Sequence, residues 1–313
     1  MCCSWPGSPP DRQPRWVTVS ATAIRCLPFG RYRAANALAR FSRRPFLSAL
    51  PPELGGASFV CDLSDSIARE VCFTGRYEPQ ETQLAVHLLE PGMQVIDAGA
   101  NWGYFSLVAA HLVGPTGRVL ALEPHPALHA ALSANVRRNG LTQVSCLRLG
   151  AADVEGAAGF CAFAQHGGNS GLSRLASSGE RVDFQSPVQT IDAVADRAAL
   201  DAVHLVKIDV EGAELQVLRG MADGLGRRRY RVVLLECHPG TAGPGGSVDV
   251  CARLLLDHGY RGWHIDHTPG MHRRAAAGAQ PPAAMLAPYH PAAEPPARWP
   301  HQLWLAPGQE VPA

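Results

Sequence analysis

Lysine is almost missing from this chain. Of 28 basic residues, only Lys207 is not arginine. Where a bare positive charge suffices, such a composition supplies a guanidinium. The single ammonium therefore points to a position that needs a compact cation or a neutral amine. Net charge is also missing. At +1 there is no electrostatic reason to expect nucleic acid or an anionic membrane as the main partner. No apolar run approaches the roughly 18 residues of a membrane span. The first fifty residues contain no apolar segment with a cleavage site, so a secretory signal is not expected. The nine cysteines are odd in number and form no C-x-x-C unit, which argues against a disulfide scaffold or a zinc ribbon. They are expected to be mostly reduced core thiols in a cytoplasmic protein. Histidine is plentiful at 13, yet His264, His267 and His301 show no ligand spacing, and no metal is expected.

What remains is enough for a core, since 46% of the 313 residues are hydrophobic. Residues 1–55 read as an Arg-rich extension, poorly ordered or loosely docked, in which Gly30 to Arg44 could form a short basic helix. Residues 56–310 read as one α/β domain with a Pro/Ala-rich irregular insertion at 269–300. Apolar, non-alternating strands are expected at Met93–Ala98, Arg118–Leu122, Val144–Leu149, Val203–Asp209 and Val232–Cys237. Helices are expected between them, and short strands at Phe59–Leu63, Tyr260–Ile265 and Gln302–Leu305. Such strands separated by helices describe a parallel sheet covered on both faces. Gln165 to Glu180, rich in Gly and Ser, reads as loop.

The stretch Gln94-Val-Ile-Asp-Ala-Gly-Ala-Asn-Trp-Gly-Tyr-Phe105 reads as strand, glycine turn and helix. Gly99 permits a tight turn and close approach of a ligand to bare backbone. The helix beginning near Gly103 directs amide N–H groups at that ligand. The G-x-x-x-G spacing differs from the G-x-G-x-x-G of NAD-dependent oxidoreductases. Asp97 ends the strand, where it would bind an amine or an ordered water. Glu123 ends the next strand, where a carboxylate meets the two hydroxyls of an adenosine ribose. Asp153 follows the third strand and would accept from an adenine amino group, with the Ala152 amide at a ring nitrogen.

These residues make the chain resemble the FkbM family of S-adenosylmethionine-dependent methyltransferases. The match is carried by Phe73-Thr-Gly-Arg-Tyr-Glu78, Val95-Ile-Asp-Ala-Gly-Ala-Asn-Trp-Gly-Tyr104, Gly168-Asn-Ser-Gly-Leu-Ser173 and Val206-Lys-Ile-Asp-Val-Glu-Gly-Ala-Glu-Leu215. Leu235-Glu-Cys-His-Pro239 adds to it. The resemblance implies a Rossmann-like class I methyltransferase fold, a doubly wound, mostly parallel seven-stranded sheet with one antiparallel strand at the end. It implies S-adenosyl-L-methionine as cofactor and O-methylation of a hydroxyl on a small molecule, sugar or lipid-linked glycan. The cofactor residues would be Asp97, Gly99, Asn101, Gly103, Glu123 and Asp153, with Tyr77 and Glu78 closing over them. Trp102 takes the place of a small or aliphatic residue and would contact the sulfonium or crowd the methionine tail.

Strand alternation puts Lys207 and Asp209 on one face, with Asp209 and Glu211 at the carboxyl end of the sheet. Methyl transfer needs an aligned hydroxyl and a group to take its proton. The candidates are Asp209, Glu211 and a Lys207 whose pKa burial would lower. Equally, Lys207 could be a counter-ion steadying the two carboxylates. Asn169 and Ser170 would suit a sugar-like acceptor. The competing readings are a divalent ion held by Asp209, Glu211 or His238, and an inactive cofactor-binding module.

Overall fold

The computed structural model describes residues 11–27, 30–41, 44–162, 173–176, 179–238, 248–278, 280–290 and 300–311. Its main sheet has eight strands. Across the sheet they run Leu286–Pro288, Arg261–Ile265, His301–Leu305, Tyr230–Glu236, Val203–Ile208, Gln94–Ala98, Arg118–Leu122 and Val144–Leu147. The five strands from Tyr230–Glu236 to Val144–Leu147 pair in parallel. This is the α/β, Rossmann-like, doubly wound sheet that the resemblance implied. Two details differ. A three-residue edge strand, Leu286–Pro288, makes the count eight. The antiparallel strand His301–Leu305 lies inside the sheet, paired with Tyr230–Glu236 on one side and Arg261–Ile265 on the other.

Side-chain alternation divides the strands between two cores. Val95, Val119, Leu205 and Leu234 face one, and Ile96, Leu120, Val206 and Leu235 face the other. Apolar residues in consecutive positions are what a sheet buried on both faces requires. Strand order reverses at Gln94–Ala98, because the chain moves outward first through Arg118–Leu122 and later through Val203–Ile208. The loops leaving these strands diverge, and a crevice opens at their carboxyl ends.

Three expectations are corrected. The Arg-rich extension is not loose where it is described. Helices Arg15–Cys26 and Arg31–Leu38 bury Val17, Ala21, Ile24 and Ala35. The Arg25 guanidinium donates to the backbone carbonyls of Cys72 and Phe73, so this arginine serves as a clamp onto helix Ser66–Thr74. The segment 269–300 is not irregular at its start, where Thr268 caps a helix over Pro269–Ala277. Finally, Gly156–Ala162, Ser173–Leu175 and Phe184–Gln189 join Gly150–Ala151 in a second, four-stranded sheet. Strand Gly156–Ala162 reads Gly-Ala-Ala-Gly at its start, a composition with little strand propensity. Asn169 and Ser170 lie outside the described residues. Among the described residues no helix is long and apolar enough to cross a membrane. Cys61, Cys72, Cys237 and Cys251 are buried free thiols.

Candidate active site

The crevice holds a cavity of about 520 Å³, within the usual range for small-molecule sites. Gly99 ends strand Gln94–Ala98 at φ +89°, and a Cβ there would lie 1.8 Å from the Asp209 carbonyl oxygen. Only glycine lets the two strand ends come this close. The Gly99 and Ala100 amides both donate to the Leu122 carbonyl, and the Asn101 amide donates to Glu123 Oε2 at 2.8 Å. Glu123 Oε1 accepts from the His125 amide at 2.8 Å. Burial pushes the Glu123 carboxyl up to about 7 despite these two amides. Asp97 is buried and accepts from Ser106 through Oδ2 at 2.6 Å, while its Oδ1 has no hydrogen-bond partner. Gly103, at φ +101°, precedes helix Tyr104–Val113. Trp102 lines the cavity, with its ring stacked on Phe59 at 4.9 Å between centroids.

On the other side of the crevice, Lys207 pairs in register with Asp97. Its Nζ lies 2.7 Å from Asp209 Oδ2 and 3.7 Å from Glu78 Oε2. The expected lowering of its pKa is reversed. Burial does pull it down, but Asp209, Glu78, Asp97 and Glu236 outweigh burial and hold it well above the usual lysine value. Lys207 is thus a protonated cation amid carboxylates. Burial drives the Glu78 carboxyl well up against the pull of Lys207. It also lifts Glu211 to about 7, with His238 pulling the other way. Of five non-glycine residues with positive φ among the described residues, Glu78, Asn101 and Glu211 line this cavity. Strained backbone of this kind concentrates at functional sites.

Two groups depart from the sequence expectation. Asp153 is exposed and does not line the cavity, because the chain turns away after Gly150–Ala151 into the second sheet. The Ala152 amide is already spent on the Gln189 carbonyl. That wall is formed instead by Leu149, Gly150, Ala151, Phe160 and Leu175. Glu236, His267 and His301 also line the cavity and were not anticipated. His238 sits 2.8 Å from Glu214 Oε1, 3.3 Å from Glu236 Oε1 and 3.6 Å from Glu211 Oε2. Burial pulls its pKa down, but hydrogen bonds to Glu214 and Glu236 prevail and raise it to about 12. The readable signal was position: Glu236 ends a parallel strand, and His301, opposite it in register, begins the antiparallel one.

A family model described as the methyltransferase FkbM domain matches residues 97–261. The 31-O-demethyl-FK506 methyltransferase FkbM of Streptomyces tacrolimicus is 32% identical over 200 residues, 55% of this chain and 74% of that protein. The AMB antimetabolite synthetase AmbE of Pseudomonas aeruginosa is 29% identical over 208 residues, 55% of this chain but only 10% of that much longer protein. A solved structure of methyltransferase FkbM from Methylobacillus flagellatus aligns with a TM-score of 0.42 and 16% identity, covering 88% of this chain and 59% of that one.

Proposed function

Because the chain belongs to the FkbM family of methyltransferases, whose fold and family imply use of S-adenosylmethionine, we propose that it O-methylates a hydroxyl of a small molecule, sugar or lipid-linked glycan. The observation that carries this reading is the pairing of Glu123 and the partnerless Asp97 Oδ1 across the Gly99 turn, in one cavity with Lys207 and Glu211. Bound there, the cofactor would supply an electrophilic methyl group on a sulfonium.

The residues present fit that cofactor. Glu123 would accept from the ribose hydroxyls, and Asp97 Oδ1 from the amino group of the methionine moiety. Gly99, Asn101 and Gly103 bring backbone close to it, and Leu149, Phe160 and Leu175 offer an apolar slot for the base. Glu78 closes the site beside Lys207. The 31-O-demethyl-FK506 methyltransferase of Streptomyces tacrolimicus, by its name an O-methylating enzyme, supports hydroxyl oxygen as the receiving atom.

The acceptor must lose a proton as its oxygen gains the methyl carbon. Lys207 is already protonated and His238 is cationic, so neither takes that proton. Glu211, lifted to about 7 by burial, has the affinity for a proton that suits a general base near neutral pH. Asp209, held at 2.7 Å by Lys207, aligns the hydroxyl. Lys207 is thereby a positioning residue that also prevents four neighbouring carboxylates from repelling one another.

Titration of the full chain with S-adenosylmethionine by calorimetry should show one site with micromolar affinity. Incubation with methyl-labelled cofactor and pooled hydroxylated metabolites should give a label stable to base, as an ether is. Absence of cofactor binding, or label confined to base-labile esters or to amines, overturns the reading.

A further inference from the structure

We propose that Glu81, His267 and His301 form a binding site for a first-row divalent metal ion such as Zn²⁺, bordering the cavity. Three segments far apart in sequence deliver these groups to one point. Glu81 stands in helix Pro79–Leu88, His267 follows strand Arg261–Ile265, and His301 opens strand His301–Leu305. His267 Nε2 lies 2.6 Å and His301 Nδ1 2.9 Å from the same carboxylate oxygen, Glu81 Oε1. One donor atom from each of the three lies within 4.8 Å of the others. Ligands that share an ion at 2.0–2.1 Å stand about 3 Å apart, so a cation needs only a slight opening of this cluster.

Two further observations point to a ligand. Glu81 is 3% exposed, and its second oxygen, Oε2, is buried with no hydrogen-bond partner. A buried carboxylate left half satisfied is costly unless something else completes it. The two imidazoles also stack face to face, with centroids 3.9 Å apart and an 18° tilt, while presenting nitrogens to one oxygen.

The surroundings resemble those of a metal site. His301 turns its other nitrogen, Nε2, to Glu236 Oε1 at 3.5 Å, the outer carboxylate that orients a ligating imidazole. Two imidazoles and one carboxylate suit zinc, iron or manganese and leave coordination positions open, here toward the cavity that both histidines line. Among the described residues two other candidate clusters are less suited: Glu78, Glu236 and His301 offer one imidazole only, with Glu78 beside Lys207, and Asp209, Glu211 and His238 are already engaged. Lys207 already pairs with Asp209, and His238 is engaged by Glu214 and Glu236. With Glu81 and His267 186 positions apart, no local spacing in the sequence shows the site.

The test uses the full chain, stripped with a chelator and titrated with Zn²⁺ by calorimetry and with Co²⁺ by visible absorption. One equivalent should bind. His267→Ala and His301→Ala should each weaken binding at least tenfold, and His238→Gln should not. The zinc X-ray absorption spectrum of the unsubstituted protein should show two imidazole ligands and no sulfur, which keeps the test decisive if a variant misfolds. No uptake at millimolar Zn²⁺, loss of binding in His238→Gln with retention in His267→Ala, or a sulfur-containing ligand set overturns the proposal. Binding of S-adenosylmethionine, measured on the same samples, reports separately on the proposed function.

Discussion

Lys207 gathers charge in a place that water scarcely reaches. It is 7% exposed, and its pairing with Asp209 and Glu78 replaces hydration. Removing one partner from such a set strands the others, at a cost of about 3–5 kcal/mol. Lys207→Met should therefore lower unfolding free energy in urea by about that amount; an unchanged midpoint would show that the carboxylates tolerate its loss. Lys207→Arg should retain S-adenosylmethionine binding and lose most turnover, because a planar fork cannot hold Asp209 as the ammonium does. Glu123 has its carboxyl raised from 4.5 to about 7. A carboxyl raised on folding favours the protonated form, so this group supports the fold at low pH, and that support fades as pH climbs through about 7. With Glu123 in its proposed role, cofactor binding would have the opposite dependence, since ribose hydroxyls would donate to the ionised form. Affinity for S-adenosylhomocysteine should fall as pH drops below about 7, and the Glu123→Gln variant should bind weakly at every pH. A flat profile for the unsubstituted protein across that range would rule out Glu123 as the ribose acceptor.

Among the elements, the strand–turn–helix around Gly99 is the most demanding. A Gly99→Ala substitution meets φ +89° and the Asp209 carbonyl at 1.8 Å. The backbone conformation alone costs about 1–3 kcal/mol, with the collision added. Chemical denaturation should show this loss, and calorimetry should show cofactor binding abolished; a variant with native stability would mean the turn can open. This element was legible because glycine, strand-end acid and helix start are all local features. Helix caps are local in the same way: Asp65 caps helix Ser66–Thr74, and Gly140, at φ +63°, follows helix Pro126–Arg138. The helix over Arg15–Cys26 was also within reach, since Val17, Ala21 and Ile24 recur at helical spacing. Arg15 and Arg25 flank that stripe and give the segment the composition of a charged extension. Asp153 misled because a strand-end acid in register with two others promises a third contact, yet the second sheet pulls it outward. Nothing local announces that sheet, whose glycine- and alanine-rich strands are fixed by pairing and not by propensity.

The whole molecule assembles its site from both arms of one sheet. Parallel strands bring Asp97, Glu123, Lys207 and Glu236 to a single edge, and only the reversed strand can bring a residue to that edge at its beginning. That residue is His301, beside Glu236. Its placement could not be read without knowing that the last strand enters between two others. That entry has a consequence for the order of assembly. Tyr230–Glu236 and Arg261–Ile265 are not paired with each other; both pair with a strand synthesised after them. A nascent chain ending before residue 300 would lack the wall that closes the crevice, with one long apolar strand edge open to other chains. Such a truncated chain should aggregate on light scattering, and full-length refolding should show recovery of cofactor binding no earlier than burial of Trp304, read by its fluorescence. The wall that closes the site is the last piece of the sheet to arrive, so a partly made chain has no competent crevice in which to spend cofactor.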